Sequence, residues 1–584
     1  MNITPFNQSP PELGNQFAQD RVLQSYLRRR IPAEMLKQVK PTLSALGAWS
    51  GGEGYRLQLA DRENEPQLTQ WDPWGNRIDQ IELSPGWQVA ERLAAEYGLV
   101  AAAYEGRYGR FDRIYQFALA YLFHPSTDVY SCPLAMTDGA ARTLLTSANQ
   151  SLIDRAVPRL TSRDPDQFWT SGQWMTESTG GSDVGQSESV ARQDEEGVWR
   201  LYGRKWFTSA TTSQMALTLA RPEGNDPGGK GLALFYLELR DEEGHLQQIE
   251  VARLKEKLGT RKVPTAELWL RGAPAVPVMG LRNGVRNIVP MLHLTRTWNA
   301  VTAVSFMRRG IALARDYARK RAAFGRMLSR QPLHQDTLAW LQAEMEAAFH
   351  LTFFVVELIG KQEHNALAPG EEPLLRMLTS VNKLTTGRQA VQICSEVLEA
   401  HGGAGYVEDT GLPVLLRDSQ VLPIWEGTTN VLALDTLRAL RDDEAWSAYV
   451  AQVRRCLGEL QDDRLRQAGE VAWRAVESAQ AWLLSARAAG RHALETGARR
   501  FSLTIGRALS LALLASQAEW SLQQERDARP RAAASRFAET AIDQIRWVAL
   551  GESTPDEIAA LANDEPLPVT TAEPGNKNMK VEQG

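Results

Sequence analysis

Met175-Thr176-Glu177-Ser178-Thr179-Gly180-Gly181-Ser182-Asp183-Val184 stands where the texture of the chain changes. Upstream, residues 1–170 carry apolar side chains at helical spacing, as in residues 87–104 (WQVAERLAAEYGLVAAAY), between aromatic-rich loops. Downstream, to about residue 280, runs such as residues 232–239 (LALFYLEL) and 266–271 (AELWLR) read as strands, broken by turns such as residues 221–231 (RPEGNDPGGKG). The decapeptide at the boundary is rich in hydroxyls and small residues, which let backbone N–H groups approach a ligand closely. On local chemistry alone it reads as a Gly/Ser turn.

Farther along, from about residue 281, long helices return. Leu338, Leu341, Met345, Phe349 and Phe353 recur at intervals of three and four, the stripe of an amphipathic helix. Residues 441–550 form further Ala-, Leu- and Arg-rich helices. From residue 551 the chain is rich in Pro, Asp, Glu and Asn, a composition that reads as disordered. Helices, a strand block, then helices again indicate separately packed layers rather than one βαβ sheet. The expected class is therefore α+β and multidomain. Its regions are an N-terminal helical domain (1–170), a middle β domain (171–280), a helical bundle (281–440), an extra helical domain (441–550) and a tail (551–584).

A chain of 584 residues is too long for one core. A net charge of −5 exerts no global pull on nucleic acid or an anionic membrane, although a local basic patch remains compatible with it. The three cysteines, Cys132, Cys394 and Cys456, lie far apart with no CxxC pair, and the histidines show no HExxH spacing. A disulfide framework and a metal site are not expected. The first residues, MNITPFNQSPPELGNQ, lack the basic start and apolar core of a signal peptide, and no run reaches the length of a membrane span. The expectation is a cytoplasmic protein.

There is no GxxxxGK[ST] loop and no GxGxxG after a strand; the nearest glycine cluster is Gly402-Gly403-Ala404-Gly405. A nucleotide cofactor must be held some other way. Three further segments follow the decapeptide in order: Gly203-Arg204-Lys205-Trp206-Phe207-Thr208-Ser209, Arg321-Ala322-Ala323-Phe324-Gly325 and Ile424-Trp425-Glu426-Gly427-Thr428-Thr429-Asn430. With the decapeptide they resemble, in the same order, four motifs of the acyl-CoA dehydrogenase family: the flavin-contacting loop, the strand carrying an aromatic ring and a hydroxyl to the isoalloxazine, the RxxFG motif and the segment of the catalytic glutamate. The resemblance spans residues of about 80–440.

That resemblance implies a fold of N-terminal helices, a middle β-barrel or sandwich and a C-terminal four-helix bundle, here with an extra helical domain. It implies FAD as cofactor and Glu426 as the base that takes the α-proton of an acyl-CoA while a hydride leaves to flavin N5. Trp425 offers an apolar wall that strengthens a carboxylate as a base. Implied cofactor contacts are Met175, Thr176, Ser182, Trp206, Thr208, Arg321, Phe324, Gln331, Gly402, Gly403, Thr428 and Asn430. Ser182 and Arg296 are the implied substrate contacts. The arginine of RxxFG reaches the diphosphate of a neighbouring subunit's cofactor, which implies a dimer or dimer of dimers; an electron-transfer flavoprotein is the implied redox partner. The chain departs from the family pattern at three places. Seven residues rather than eight separate Phe324 from Gln331, Glu399 stands where the glycine-rich stretch has Gln, and His293 precedes Arg296 where some members carry an acid.

The long segments before and after the family core, with PPEL near the start, resemble the AidB-like branch. That anatomy carries a second reading, a flavoprotein of the alkylation-stress response that binds DNA with little dehydrogenase activity. Residues 441–550 hold 16 Arg against 14 acids, close to balance. A local cluster of Arg487, Arg491, Arg499, Arg500 and Arg507 faces only Glu495 and is the candidate phosphate-binding surface. A third reading, a flavin-dependent oxidase or monooxygenase on the same scaffold, fits less well because Glu426 is retained.

Overall fold

The computed structural model describes residues 7–545 and 554–568. The N-terminal layer comprises α1 (Arg21–Arg30), α2 (Ala33–Gly51), α3 (Glu53–Ala60), the hairpin β1 (Gln67–Trp71) and β2 (Arg77–Glu82), α4 (Pro85–Glu96), α5 (Asp112–Phe123), α6 (Ser131–Ser147) and α7 (Gln150–Leu160). Its helix starts are capped as short polar side chains allow: Asp20 accepts the Leu23 N–H at 2.9 Å, and Ser84 accepts that of Trp87 ahead of Pro85. The helical pattern of residues 87–104 is only half realised. α4 stops at Glu96, because Gly98 turns the backbone to a φ of 66°.

The middle region folds as β3 (Ser171–Trp174), β4 (Val190–Gln193), β5 (Trp199–Thr208), β6 (Met215–Pro222), β7 (Ala233–Glu238), β8 (Ile249–Leu254) and β9 (Ala266–Pro277). Strands β6, β4, β5, β9 and β7 pair in a ring that closes through β6–β7, with β3 added beside β6 and β8 beside β9. Closure removes the open edges a flat sheet would present. The interior is filled by Trp174, Leu201, Phe235, Val251 and Leu268.

The bundle follows a one-turn helix, α8 (Gly284–Asn287). It consists of α9 (Val289–Lys320), a tight hairpin of β10 (Ala322–Ala323) and β11 (Arg326–Met327), α10 (Pro332–Glu363), α11 (Glu371–Ala400), α12 (Pro413–Ser419) and α13 (Thr429–Ala439). The stripe read from the sequence lies on α10, where Leu341, Met345, Phe349 and Phe353 are fully buried. A buried polar network ties the N-terminal layer to the bundle: Arg113 of α5 pairs with Asp138 of α6 (2.8 Å) and Glu363 of α10 (2.7 Å), and Trp298 of α9 donates to Asp138 (2.8 Å).

The last region holds α14 (Asp443–Gly458), α15 (Asp463–Ala489), α16 (Arg491–Trp520), α17 (Arg529–Ala538) and α18 (Pro555–Asn563). It is helical as expected, but it does not pack as a separate layer. Leu351, Leu358, Leu378 and Val381 of the bundle share one core with Phe501, Ile505, Leu509 and Ala512 of α16. The helix at Arg491–Glu525 is long and apolar enough by composition to cross a membrane, yet 89% of its most apolar window is buried inside the protein. The tail expectation is corrected in part. Thr554 and Glu557 form a reciprocal capping box at the start of α18, so residues 555–563 are helical, whereas residues 569–584 lie outside the described ones. Residues 1–6, at the start of the segment read as no signal peptide, also lie outside them.

Candidate active site

Glu426 sits in the connection between α12 and α13, half-buried, at a φ of 57°. A left-handed conformation costs an L-residue about 1 kcal/mol or more and persists where its surroundings impose it. Those surroundings are specific. Thr295 of α9 donates its hydroxyl to the Glu426 carboxylate at 2.7 Å. Arg296 donates to the Glu426 carbonyl at 3.3 Å, and Lys383 of α11 to the Gly427 carbonyl at 2.6 Å. Trp425 bonds through its indole N–H to the Asn299 side chain, whose amide in turn holds the Leu422 carbonyl at 3.2 Å. Gly427 follows at a φ of 100°, which a side chain would resist. Two helices thus hold one short turn, and one of them the carboxylate itself.

Charge around it is arranged in a chain. Arg296 and Arg376 share Asp435 (3.1 and 2.7 Å), which also accepts from Ser380 at 2.6 Å. Burial opposes ionisation of Asp435, but the two guanidiniums hold it well below the usual carboxylate range. Burial lowers Lys383 to about 7, Arg296 pushing it further down and Glu426 opposing. His293, buried beside Arg296 and Arg376, is lowered to about 4 and is neutral at physiological pH. The Cys132 thiol of α6 is pushed up to about 12, first by burial and also by the Glu426 carboxylate, and it bonds to Ser209. Lys383, Thr295, Asn299 and Cys132 were not found by motif reading. They come from three helices, α9, α11 and α6, and only folding brings them to the Glu426 turn.

The middle region touches this neighbourhood just past the end of β5, where Ser209 bonds to Cys132. The Trp206 N–H donates to the Thr176 carbonyl at 2.9 Å, so the two predicted flavin segments are in contact. Behind them, buried Lys205 pairs with Glu177 at 2.6 Å, and Glu177 also accepts the N–H groups of Glu188 (2.6 Å) and Ser189 (3.2 Å). The motif's glutamate therefore shapes the loop from beneath. Lys255 lies 3.4 Å over the Trp206 ring, held there by Glu267 at 2.6 Å. Met175 is half-buried and Ser182 is exposed. The Thr208 hydroxyl is buried and already donates to the Ala266 carbonyl at 2.6 Å, leaving only its lone pairs for a ligand. Thr428 caps α13, and Asn430 is exposed on its first turn. The loop after β8 docks here too: the Thr260 N–H donates to Asp418 of α12 at 2.6 Å.

The remaining predicted residues gather elsewhere. Arg321 ends α9, Phe324 tips the β10–β11 hairpin, Gln331 starts α10, and Gly402 and Gly403 follow α11. All five share one end of the bundle. Thr295 and Arg321 are separated by 26 positions on α9, about 39 Å of helix at ~1.5 Å per residue. Within one chain, therefore, these residues do not converge on Glu426. The far end is nonetheless a formed surface. Phe324 is 100% and Tyr406 90% exposed, and a Cβ at Gly402 or Gly403 would meet nothing within 4 Å. Gln331 spends its amide on the Ala323 carbonyl (2.9 Å), closing the hairpin. Glu399 is exposed.

The arginine cluster of the last region does not form one cationic face. Arg507 is bound to Glu344 at 2.7 Å with its side chain largely buried, Arg487 pairs with Asp443 (2.8 Å) and Arg491 with Glu495 (2.6 Å). Arg499 reaches Asn430 at 3.4 Å.

Comparison with known proteins gives four consecutive domain matches. Residues 7–167 match the adaptive response protein AidB N-terminal domain and residues 172–273 the acyl-CoA dehydrogenase middle domain. Residues 282–440 match the acyl-CoA dehydrogenase C-terminal domain and residues 444–557 the acyl-CoA dehydrogenase 11 C-terminal domain-like family. The chain is 42% identical over 529 residues to acyl-CoA dehydrogenase family member 11 of Caenorhabditis elegans, covering 88% of this chain and 86% of that one. A crystal structure of the Caenorhabditis elegans protein ACDH-11 in complex with C11-CoA superposes with a TM-score of 0.90 at 40% identity, over 94% of this chain and 95% of that one. AidB of Escherichia coli strain K12 is 31% identical over 419 residues, 68% of this chain and 73% of AidB. An acyl-CoA dehydrogenase from Bacillus anthracis, complexed with FAD, shares the fold at 16% identity and a TM-score of 0.69, over 94% of each chain.

Proposed function

The chain belongs to the acyl-CoA dehydrogenase family, and from that premise we propose that it is an FAD-dependent dehydrogenase that oxidises the α,β-bond of an acyl-CoA with Glu426 as base. The observation that carries this reading is the geometry of Glu426. A strained backbone, one hydroxyl donor on the carboxylate and two cations on the flanking carbonyls hold a single carboxylate in one fixed turn of the bundle.

The residues present fit the cofactor. The Gly402–Gly403 cradle is open, and the rings of Phe324 and Tyr406 at the same end of the bundle are exposed. Met175, Thr176, Ser182, Trp206 and Thr208 would hold the flavin end, with Thr428 and Asn430 beside them. Arg321, Phe324, Gln331, Gly402 and Gly403, which lie too far from Glu426 in the same chain, would hold the nucleotide end of the cofactor in a second copy. Arg321 offers phosphate a planar donor fork. When bound, FAD supplies the hydride acceptor.

The chain's own part is proton abstraction and positioning. Glu426 takes the α-proton, and Thr295 keeps the carboxylate turned toward it. Arg296, pinned by Asp435, fixes the backbone of the catalytic turn and faces the thioester region together with Ser182. Neutral His293 adds no competing charge. The substrate is an acyl-CoA of about the length carried by the C11-CoA complex of the Caenorhabditis elegans relative.

Glu426→Gln tests the reading, because it keeps volume and removes the base. Flavin reduction by an undecanoyl-CoA-sized substrate is expected to fall by roughly 10²–10⁴-fold with FAD content unchanged. Loss of FAD together with activity would make Glu426 structural, and undiminished reduction would place the base elsewhere.

A further inference from the structure

Away from this site, a cavity of about 390 Å³ opens where three regions of the chain meet. Its walls come from α1, the turn before α5, α10, the end of α14 and α16. Five cations line it, Arg29, Arg30, Arg110, Lys361 and Arg455, against the carboxylates of Glu357 and Glu459. Ion pairing does not cancel this excess. Arg29 reaches Glu459 at 3.2 Å, Arg30 reaches Glu357 at 3.4 Å, and Lys361 is bound to Glu371, outside the wall, at 2.8 Å. Arg110 and Arg455 are left without a carboxylate among the described residues. The first lies over the Phe111 ring at 4.9 Å, and the second bonds to the Gln452 amide oxygen.

Two further observations point the same way. The Arg30 Nε is buried without a hydrogen bond, facing the Glu357 carboxylate only at the 3.4 Å of their ion pair. Arg29 is depressed to about 10 by burial and by the adjacent Arg30, the mark of cations crowded without full compensation. One side of the cavity is apolar, formed by Phe111, Ile114 and Phe354.

We propose that this cavity binds a small organic di- or polyphosphate, its phosphates on Arg30, Arg110 and Arg455 and its apolar or planar part against Phe111 and Phe354. Guanidinium forks match phosphate oxygens, and the two unpaired arginines match two negative charges. Because the walls belong to the N-terminal layer, the bundle and the last region, such a ligand fastens the three together and stabilises the folded chain by mass action. The site is distinct from the Glu426 centre and does not depend on the dehydrogenase reading.

The test is calorimetric titration of the full-length, FAD-saturated protein with inorganic diphosphate and, separately, ADP, repeated on Arg110→Gln/Arg455→Gln. Both guanidiniums are exposed, so the double variant is expected to fold, and equal melting temperatures without anion verify that. Saturable binding of one equivalent per chain, weakened at least tenfold in the double variant while flavin reduction by acyl-CoA is unchanged, is the expected result. ADP binding tighter than diphosphate assigns the apolar wall to a nucleoside, and equal affinities assign the site to the phosphates alone. No saturable binding of either anion, or binding that the double variant leaves intact, overturns the proposal.

Discussion

At the scale of the residue, the carboxylate of Glu426 is governed by neighbours that differ in kind. Thr295 positions it through one hydrogen bond, whereas Lys383 acts on it through charge. With its titration lowered to about 7, Lys383 is an ammonium below that pH and a neutral amine above it. The ammonium attracts the negative charge that is lost when the α-proton is taken, and so opposes that transfer; loss of the ammonium removes the opposition. Flavin reduction is therefore expected to rise as pH passes through about 7, by roughly three- to tenfold. Lys383→Met should remove that step from the pH–rate profile while retaining FAD. A step that survives in the variant would assign it to another group.

At the scale of the element, helix contacts explain why the last region is inseparable from the bundle. Gly506 of α16 crosses α11 so closely that a Cβ there would lie 2.2 Å from the Thr385 hydroxyl oxygen, itself buried without a partner. A side chain at 506 must push the helices apart. Gly506→Leu is expected to cost about 1–3 kcal/mol or more, and Gly506→Ala less, read as a lower thermal unfolding midpoint. The prediction fails if both variants melt with the parent. The β10–β11 hairpin makes the opposite case. Phe324 and Gly325 occupy left-handed turn positions (φ 50° and 74°), and the ring this exposes has no cover among the described residues.

At the scale of the whole molecule, the residues predicted to hold one cofactor lie at two ends of the bundle, and a single chain cannot bring them together. The expectation is an assembly in which one copy's hairpin and Gly402–Gly403 turn meet another's barrel edge. Light scattering should give a mass of at least twice 64.9 kDa. Phe324→Ser is expected to reduce both FAD occupancy and association, since it removes an aromatic from the proposed contact. A monomer carrying a full complement of FAD would refute the shared site. The same scale corrects the arginine cluster, whose Arg507, Arg487 and Arg491 are engaged with carboxylates of the chain.

What the sequence by itself determined is the order of layers and the class of the fold, and it singled out one candidate base. Each is written in a local signal: period-3.6 stripes such as that of α10, short β runs such as residues 232–239, and four ordered motifs that place Glu426 beside its turn glycine. The tertiary structure alone decided the rest. Thr295, Lys383, Asn299 and Cys132 come to the Glu426 turn from remote segments, and no local pattern marks a residue whose role depends on which helix packs against which. The fusion of the last region with the bundle was hidden for the same reason, because an apolar helix face does not declare its partner. The division of the predicted cofactor residues between two ends follows from the length of α9: at a fixed rise per residue, a helix of 32 residues keeps the motifs at its ends apart.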